Sequence, residues 1–305
     1  MKPAPAIQRL ARDWGAVVLL VVLALPALEM LRIALSRLAF PYELEWLEGE
    51  SMMQALRFSR SPSLDTLYPR YGEAGNTPHL YTPLYHMLLG VLMRVTGSVH
   101  LGMGRAISLA STLLCMAGIF AIVREHARDP RAALAGALAF AWFYLPSGFW
   151  YDLARVDSLA ACLATWSCWA FARRRGGVAM AALGAVLGLL AFLSKQTSIV
   201  LPMALVASRV AFEAASLVST RRWRRESTRV VLGVVAGGVV AAVTMVVLYS
   251  DRFENMRFYT LVLGANHGLL WEYIRREGPP QAWLYTPWWT APAGLALLAL
   301  LALRP

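Results

Sequence analysis

Apolar runs long enough to cross a lipid bilayer recur along this chain and constrain its fold more than any other feature. A transmembrane helix needs roughly 20 predominantly apolar residues, and backbone polar groups inside lipid must be paired within the helix. The sequence therefore predicts an all-α, polytopic transmembrane helical bundle of about 8 spans. The predicted spans are Trp14–Leu31, Gly102–Val123, Ala132–Trp150, Ser158–Ala172, Val178–Leu193, Thr197–Phe212, Val230–Tyr249 and Pro287–Leu303.

Composition agrees with a membrane protein, because 58% of the residues are hydrophobic and only 15% are charged. The formal net charge of +11 does not indicate nucleic-acid binding, since arginine clusters beside apolar spans reflect membrane topology. The three cysteines (Cys115, Cys162 and Cys168) lie inside apolar runs and lack zinc-site spacing. The first run is too long for the core of a signal peptide and is kept as a span.

The segment Leu84–Thr96 decides the topology. It is apolar but shorter than a span, and it carries His86 and Arg94. If it lies at the membrane interface instead of crossing, all the arginine-rich loops fall on one side, which the positive-inside rule places in the cytoplasm. This predicts a single domain over residues 1–305 with a cytoplasmic N-terminus. Residues 36–101 then form an outer catalytic loop with an interfacial helix, and residues 250–286 form a second outer loop.

The segment Tyr42–Glu50 is an acidic island in a basic protein, with four glutamates in eight residues (Glu43, Glu45, Glu48 and Glu50). Apolar residues lie among and just after these acids, namely Trp46, Leu47, Met52 and Met53. They favour packing of the segment against the membrane surface. A carboxylate held partly desolvated has a raised pKa and serves as a general base. A solvated loop is the alternative, and spacing alone does not select one glutamate.

Two further outer segments carry cations. The turn Tyr151–Asp157 contains Asp152, Arg155 and Asp157, which suits either a salt-bridged turn or a phosphate held by Arg155. Lys195 is one of only two lysines among 29 basic residues, the other being Lys2. Its compact charge favours phosphate binding over simple snorkelling to the interface.

The remaining candidates are polar or aromatic residues of the same outer face, expected to contact substrate. Tyrosines also suit the aromatic belt of a membrane interface, and a single histidine is more often structural. A broken interfacial helix is predicted over Phe253–Ile274. The substrate-binding candidates are Asp157, Tyr81, Tyr85, His79, Asn266 and His267.

The order of these motifs resembles the GT-C glycosyltransferases of the protein-mannosyltransferase type (glycosyltransferase family 39), which include the aminoarabinose transferases of lipid A. The resemblance covers nearly the whole chain. Its motifs are the acidic segment, Tyr81-Thr-Pro-Leu-Tyr85, Gly104-Arg-Ala-Ile-Ser-Leu109, Ala154-Arg-Val-Asp157 and Ser194-Lys-Gln-Thr197.

The resemblance implies an inverting transferase that takes a sugar from a polyprenyl-phosphate donor on the outer face of the membrane. The resemblance aligns Glu48 with the second acid of a pair that the family usually carries. Leu47 stands where the first acid of that pair is expected. The resemblance therefore implies that the general base is Glu48, Glu45 or Glu50. It also places Lys195 and Arg155 near the donor phosphate. Because family members generally run longer, the chain is expected to be a truncated or a minimal version.

The expected setting is a bacterial-type inner (plasma) membrane, crossed several times, with membrane lipids and the donor as partners, an unknown acceptor and no nucleic acid. No cofactor is certain, and a divalent cation on the glutamates is an open alternative. Two other functions remain, a transporter or flippase of lipid-linked sugars and a non-catalytic membrane scaffold. A transporter is disfavoured because the span interiors carry almost no charge.

Overall fold

The computed structural model describes residues 6–70, 72, 80–173, 177–204, 207, 225–250 and 253–263. Within those ranges the regular structure is entirely helical, which confirms the all-α prediction there. The α-helices are α1 (Ala6–Leu38), α2 (Trp46–Arg60), α3 (Leu64–Leu67), α4 (Leu84–Thr96), α5 (Leu101–Ala127), α6 (Pro130–Ala141), α7 (Val156–Ala172), α8 (Gly177–Ser194), α9 (Arg225–Leu248) and α10 (Glu254–Arg257). Short 3-10 turns cover Trp150–Asp152 and Gln196–Ile199, and a π-helical turn, Phe258–Leu263, continues α10.

Three of the described helices are long and apolar enough to cross a membrane: Trp14–Leu38 within α1, all of α5 and all of α8. Four shorter apolar helices accompany them, namely α4, α6, α7 and the Gly237–Leu248 part of α9. These helices indicate an integral membrane protein. The count of about eight spans stays a prediction.

One predicted span, Ala132–Trp150, is wrong as a continuous helix. Asp129 caps the N-terminus of α6 through the amide of Arg131, and the helix ends at Ala141. Turns follow over residues 142–149, where Pro146 and the positive φ of Gly148 (71°) are incompatible with continued α-helix. Of the other predicted spans, Thr197–Phe212 starts with a 3-10 turn and lies mostly outside the described residues, and Pro287–Leu303 lies wholly outside them.

The bundle is organised around α7, which packs between α5 and α8, while α9 covers α8 and α6 lies against α5 and α1. Small polar residues allow close contact between these helices. Ser167 of α7 is fully buried and its Oγ donates a hydrogen bond of 2.6 Å to the carbonyl of Gly184 on α8. The side chains that leave α7 at its first turn are therefore held in fixed positions.

A second layer is formed by α2 and α4, which pack closely against each other. A Cβ atom on Gly90 of α4 would lie only 2.7 Å from the carbonyl oxygen of Ala55 on α2, so this crossing requires glycine. Tyr85 ties the layer to the bundle, because its hydroxyl donates to the carbonyl of Gly104 on α5 at 3.1 Å. The helix predicted over Leu84–Thr96 is present with those bounds. Its position at a membrane interface stays a prediction.

Candidate active site

A fully buried arginine, Arg105 of α5, holds the segment between α1 and α2 in place. Its Nε donates to Glu48 Oε1 at 2.9 Å, and its Nη2 donates to Glu48 Oε2 at 2.8 Å. The remaining N–H groups reach the carbonyls of Arg37, Phe40 and Tyr42 at 2.6–2.7 Å. All five donors of this side chain are therefore satisfied by the end of α1, the loop that follows it and one carboxylate.

Glu48 is the acceptor that completes this arrangement. Besides Arg105, it accepts the backbone N–H of Ala154 on Oε1 at 2.9 Å and that of Leu44 on Oε2 at 2.8 Å. Burial raises the pKa of Glu48, but the hydrogen bonds from Arg105, Ala154 and Leu44 outweigh it and hold the pKa below its ordinary value. A carboxylate with both oxygens engaged in this way is suited to positioning the loop.

Glu45 caps the N-terminus of α2 and at the same time pairs with the turn that precedes α7. Its Oε2 accepts the amide of Leu47 at 3.0 Å and the Nη1 of Arg155 at 2.6 Å. The Glu45 side chain keeps a fifth of its surface exposed (19%), while Arg155 is 4% exposed. The acidic segment is thus joined directly to the Ala154–Asp157 turn.

Arg155 and Lys195 meet on a shared carboxylate, Asp157. The Nε of Arg155 lies 3.0 Å from Asp157 Oδ2, and the Nζ of Lys195 lies 2.5 Å from Asp157 Oδ1. The guanidinium of Arg155 also stacks 4.0 Å above the ring of Trp150. We refer to Glu45, Arg155, Asp157 and Lys195 as the charge cluster.

The charge cluster retains donors for a further anion. Within the described part of the chain, the Nη2 of Arg155 makes no hydrogen bond, and Lys195 uses only its contact with Asp157. Two carboxylates and two cations give the cluster no net charge. An entering phosphate would find unused N–H groups on both cations, and these are the groups that bind phosphate in proteins.

Glu50, two residues after Glu48 on α2, has the opposite protonation behaviour. Burial raises the pKa of Glu50 to about 7, although the positive charge of Arg155 acts against this rise. Unlike Glu48, this carboxyl exchanges a proton near neutral pH. Its electrostatic coupling to Arg155 shows that it belongs to the surroundings of the charge cluster.

The two tyrosines that are predicted to contact substrate, Tyr81 and Tyr85, lie in different surroundings in the structure. The ring of Tyr81 is partly exposed and lies 5.7 Å from the Nζ of Lys195, next to the charge cluster. Burial raises the pKa of Tyr81, with Asp157 adding to the rise. Tyr85 has no exposed surface and belongs to the contact between α4 and α5. Tyr81 therefore borders the charge cluster, whereas Tyr85 is buried between helices; a substrate contact by either stays a prediction.

A cavity of about 370 Å³ opens beside the charge cluster, between α5, α7 and the turn after α8. That volume lies at the lower end of the range of small-molecule sites. Asp157 and Lys195 form its charged side, Trp150 and Tyr151 add aromatic surface, and hydroxyl groups come from Thr112, Ser147, Ser158, Thr197 and Ser198. Thr112, Ser147 and Ser158 donate their hydroxyl protons to backbone carbonyls, so Lys195 is the cation that a ligand would meet in this cavity.

Three of the predicted residues, His79, Asn266 and His267, lie outside the described residues. Most of the second outer loop lies there as well, apart from α10 and the π-helical turn. Among the residues that the structure does describe, no group of three His, Cys, Asp or Glu side chains is arranged for a metal ion. A divalent cation at this site stays a prediction.

Arg105 and Trp150 are the contributors to the site that sequence reasoning did not select. Arg105 stands four residues into an apolar helix, and an ionisable residue inside such a helix signals a buried partner. This signal was available in the sequence. The contact between Trp150 and Arg155 depends on the tight turn before α7, which composition and periodicity do not reveal.

Comparison with known proteins gives one family. The model of a family described as dolichyl-phosphate-mannose-protein mannosyltransferase matches residues 78–249, more than half of the chain. The matched part includes Arg105, the Ala154–Asp157 turn and Lys195. No curated protein and no solved structure matches the chain.

Proposed function

Because the chain belongs to the dolichyl-phosphate-mannose-protein mannosyltransferase family, we propose that it transfers a sugar, with inversion, from a polyprenyl-phosphate donor. The family implies a membrane glycosyltransferase. The finer elements are our proposal: the donor class, catalysis on the outer face, a cytoplasmic N-terminus and a bacterial-type inner membrane. The segregation of arginine-rich loops from the acidic segment supports this orientation.

One observation carries the proposal: Arg155 and Lys195 share Asp157 within the charge cluster, directly beside the acidic segment. A glycosyl phosphate develops negative charge on its phosphate as the sugar departs. Fixed cations at that place stabilise the transition state more than the ground state. Asp157 keeps both cations oriented before the donor arrives.

For the general base we propose Glu50. Its pKa of about 7 lets it be ionised at neutral pH and still accept a proton, which is the condition for an efficient base. Glu48, which the resemblance places first, has both oxygens occupied by Arg105, Ala154 and Leu44. We propose that Glu48 positions the loop. Glu45, which holds Arg155, is the second candidate for the base.

The reaction then proceeds in one displacement. An acceptor hydroxyl attacks the anomeric carbon while its proton passes to Glu50. The bond between the anomeric carbon and the phosphate oxygen breaks, and the electron pair leaves with polyprenyl phosphate, held by Arg155 and Lys195. Attack opposite to the leaving group inverts the anomeric centre.

The test is turnover of radiolabelled polyprenyl-phosphate sugars by the purified full chain in lipid nanodiscs. We expect release or transfer of sugar by the wild type, and a loss of about 100-fold or more with Glu50→Gln, as for removal of a general base. Glu254→Gln is the matched control, because Glu254 is exposed and lies on α10, outside the charge cluster. Full turnover by Glu50→Gln would refute the role of Glu50.

The same experiment separates the alternatives. A transporter or flippase of lipid-linked sugars uses the phosphate-binding cations without a base, so the donor would move across the membrane intact and Glu50→Gln would be neutral. A non-catalytic scaffold would also tolerate Arg155→Gln. Donor cleavage that depends on both residues is expected from the transferase alone.

A further inference from the structure

A second and larger cavity lies on another flank of the acidic segment. Its volume is about 920 Å³, at the upper end of the range of small-molecule sites. It is bounded by the end of α1 and the loop that follows it, one flank of α2 and the start of α5. The lining residues are Leu38, Ala39, Phe40, Pro41, Tyr42, Glu43, Gly49, Met52, Met53, Val99, His100, Leu101, Gly102 and Ala106.

The walls of this cavity are mainly apolar, and they open onto exposed apolar surface. Met53 is 49% exposed and Val99 is 53% exposed, at the end of the molecule where α1 leaves its membrane-spanning stretch. Besides the phenol of Tyr42, two polar side chains interrupt these walls, Glu43 and His100, and both are exposed. Neither of these two side chains makes a hydrogen bond or an ion pair with the residues that the structure describes.

The carboxylate of the exposed Glu43 side chain lines the cavity next to α2. It lies so close to the backbone of α2 that a Cβ atom on Gly49 would overlap it. A carboxylate and an imidazole at the exposed edge of an apolar cavity suit a ligand with an apolar chain and a head group that donates hydrogen bonds.

The cavity and the charge cluster are close neighbours. Glu43 lines the cavity, and Glu45, two residues later, binds Arg155. A chain rises at most about 3.6 Å per residue, so the two Cα atoms lie within roughly 7 Å of each other. On α2, Gly49 faces the cavity while Glu50 is rotated from it by about 100°. The cavity and the charge cluster therefore flank the same short acidic segment.

We propose that this cavity binds the acceptor and that the acceptor is a lipid of the outer leaflet carrying a free hydroxyl group. The inference rests on the proposed transferase activity and adds the class of its second substrate. The lipid chain lies along Phe40, Met53 and Val99, and the head group meets Glu43 and His100. Its hydroxyl oxygen bonds to the anomeric carbon, its proton goes to Glu50, and polyprenyl phosphate leaves toward Arg155.

The first arm of the test labels the cavity directly. The full chain in phosphatidylcholine nanodiscs is irradiated with hexadecanol carrying a diazirine near the end of its chain, and labelled peptides are identified by mass spectrometry. We expect labelling to concentrate on the peptides containing Met52, Met53 and Val99, and to fall at least fivefold with Met53→Trp, which fills the cavity. Val95→Trp is the matched control, since Val95 is exposed on α4 and does not line the cavity.

The second arm follows the sugar. With a radiolabelled polyprenyl-phosphate sugar and a total lipid extract as acceptor, the wild type should place label in a new species that extracts into chloroform and methanol. Met53→Trp should lower this transfer at least fivefold while release of sugar into water continues. Evenly spread photolabelling, or transfer into protein or water-soluble product alone, would overturn the lipid acceptor. Absence of any donor cleavage would instead refute the proposed function, whatever the photolabelling shows.

Discussion

Glu48 and Arg105 form an ion pair of 2.8 Å in which neither side chain has any exposed surface, although 57 residues separate them in sequence. The pair joins α2 to α5, and Arg105 also binds the carbonyl of Arg37 in the last turn of α1 and those of Phe40 and Tyr42 in the loop that follows. The start of the acidic segment is therefore anchored to α5. Glu45, three residues before Glu48, has a fixed partner as well, because it accepts a hydrogen bond from Arg155.

Breaking that pair should destabilise the protein more than it alters the chemistry. Removing one partner of a buried ion pair leaves an uncompensated charge, at a cost of about 3–5 kcal/mol. We expect Arg105→Gln to lower the thermal unfolding temperature in detergent clearly and to expose residues 39–46 to protease. The control is Glu125→Gln, which removes a partly exposed pair with Arg173 of 3.7 Å and should cost at most about 1 kcal/mol.

Glu48→Gln separates the two roles considered for this residue. The hydrogen bonds of Arg105 hold the pKa of Glu48 low, so its stabilising effect is present above its unfolded pKa and is lost as the pH falls through the folded value. We expect Glu48→Gln to lose that acid-dependent stability together with activity. A stable Glu48→Gln protein with normal loop protection and no turnover would instead support Glu48 as the base.

The proposed base predicts a particular pH profile. Because Glu50 acts as a base only when it is ionised, kcat/KM should rise with pH through its pKa of about 7. Glu50→Gln should remove that rise along with most of the activity. The measurement is initial rate of donor cleavage between pH 5.5 and 8.5, and a wild-type profile that is flat across this range would contradict the assignment.

The carboxyl group of Glu50 should also lower the stability of the folded protein at high pH. The pKa of Glu50 is raised in the folded state, so folding favours its protonated form, and stability falls as the pH rises from the unfolded value near 4.5 to about 7. Glu50→Gln removes this loss. We expect the variant to unfold at a higher temperature than the wild type at pH 8 and at a similar temperature at pH 5. An equal shift at both pH values would point to a packing effect.

Arg155 and Lys195 should differ in how replaceable they are. Arg155 uses two nitrogen atoms to bridge Glu45 and Asp157 and stacks on Trp150, which lysine does not reproduce. We expect Arg155→Lys to lower kcat/KM for the donor by about 100-fold, and Lys195→Arg by about tenfold, where each tenfold corresponds to roughly 1.4 kcal/mol. Arg94→Lys, at an exposed position of α4, is the control and should be neutral.

Gly49→Ala tests the second cavity with a single methyl group. Alanine favours the helical state by up to about 1 kcal/mol over glycine, but the new Cβ displaces the Glu43 carboxylate from its place against α2. We expect an unchanged or slightly higher unfolding temperature and a KM for the lipid acceptor raised about fivefold, near 1 kcal/mol. Gly15→Ala, with open space around its Cβ, serves as the control. An unchanged acceptor KM would argue against a role for Glu43.

Periodicity and charge were sufficient to predict the helical class, and the bounds of Leu84–Thr96 emerged as expected because a proline opens that helix and a glycine ends it. Charge and topology also predicted that Arg155, Asp157 and Lys195 lie on the same side of the membrane. In the structure, Arg155 and Lys195 both form ion pairs with Asp157. The prediction of a continuous helix over Ala132–Trp150 was wrong because it relied on hydrophobicity and gave too little weight to Pro146 and Gly148, which interrupt a helix. Local breakers decide the end of α6, whatever the hydropathy of the run.

The roles of the individual glutamates were beyond sequence reasoning. Four acids in one segment look equivalent in sequence, and only their contacts distinguish them. Glu48 meets Arg105 across 57 residues, Glu45 meets Arg155, and burial on α2 raises the pKa of Glu50. Such long-range pairings depend on how α2 docks on α5 and on the turn before α7. No local pattern encodes them.

We propose that this chain cleaves a polyprenyl-phosphate sugar with Glu50 as the base and with Arg155 and Lys195 on the phosphate. The most direct measurement is the rate of donor cleavage by the purified full chain in nanodiscs at pH 7.5, for the wild type and for Glu50→Gln, with Glu254→Gln as control. We expect cleavage by the wild type and the control, and a loss of about 100-fold in Glu50→Gln. Equal cleavage by all three proteins, or none by the wild type, would contradict it.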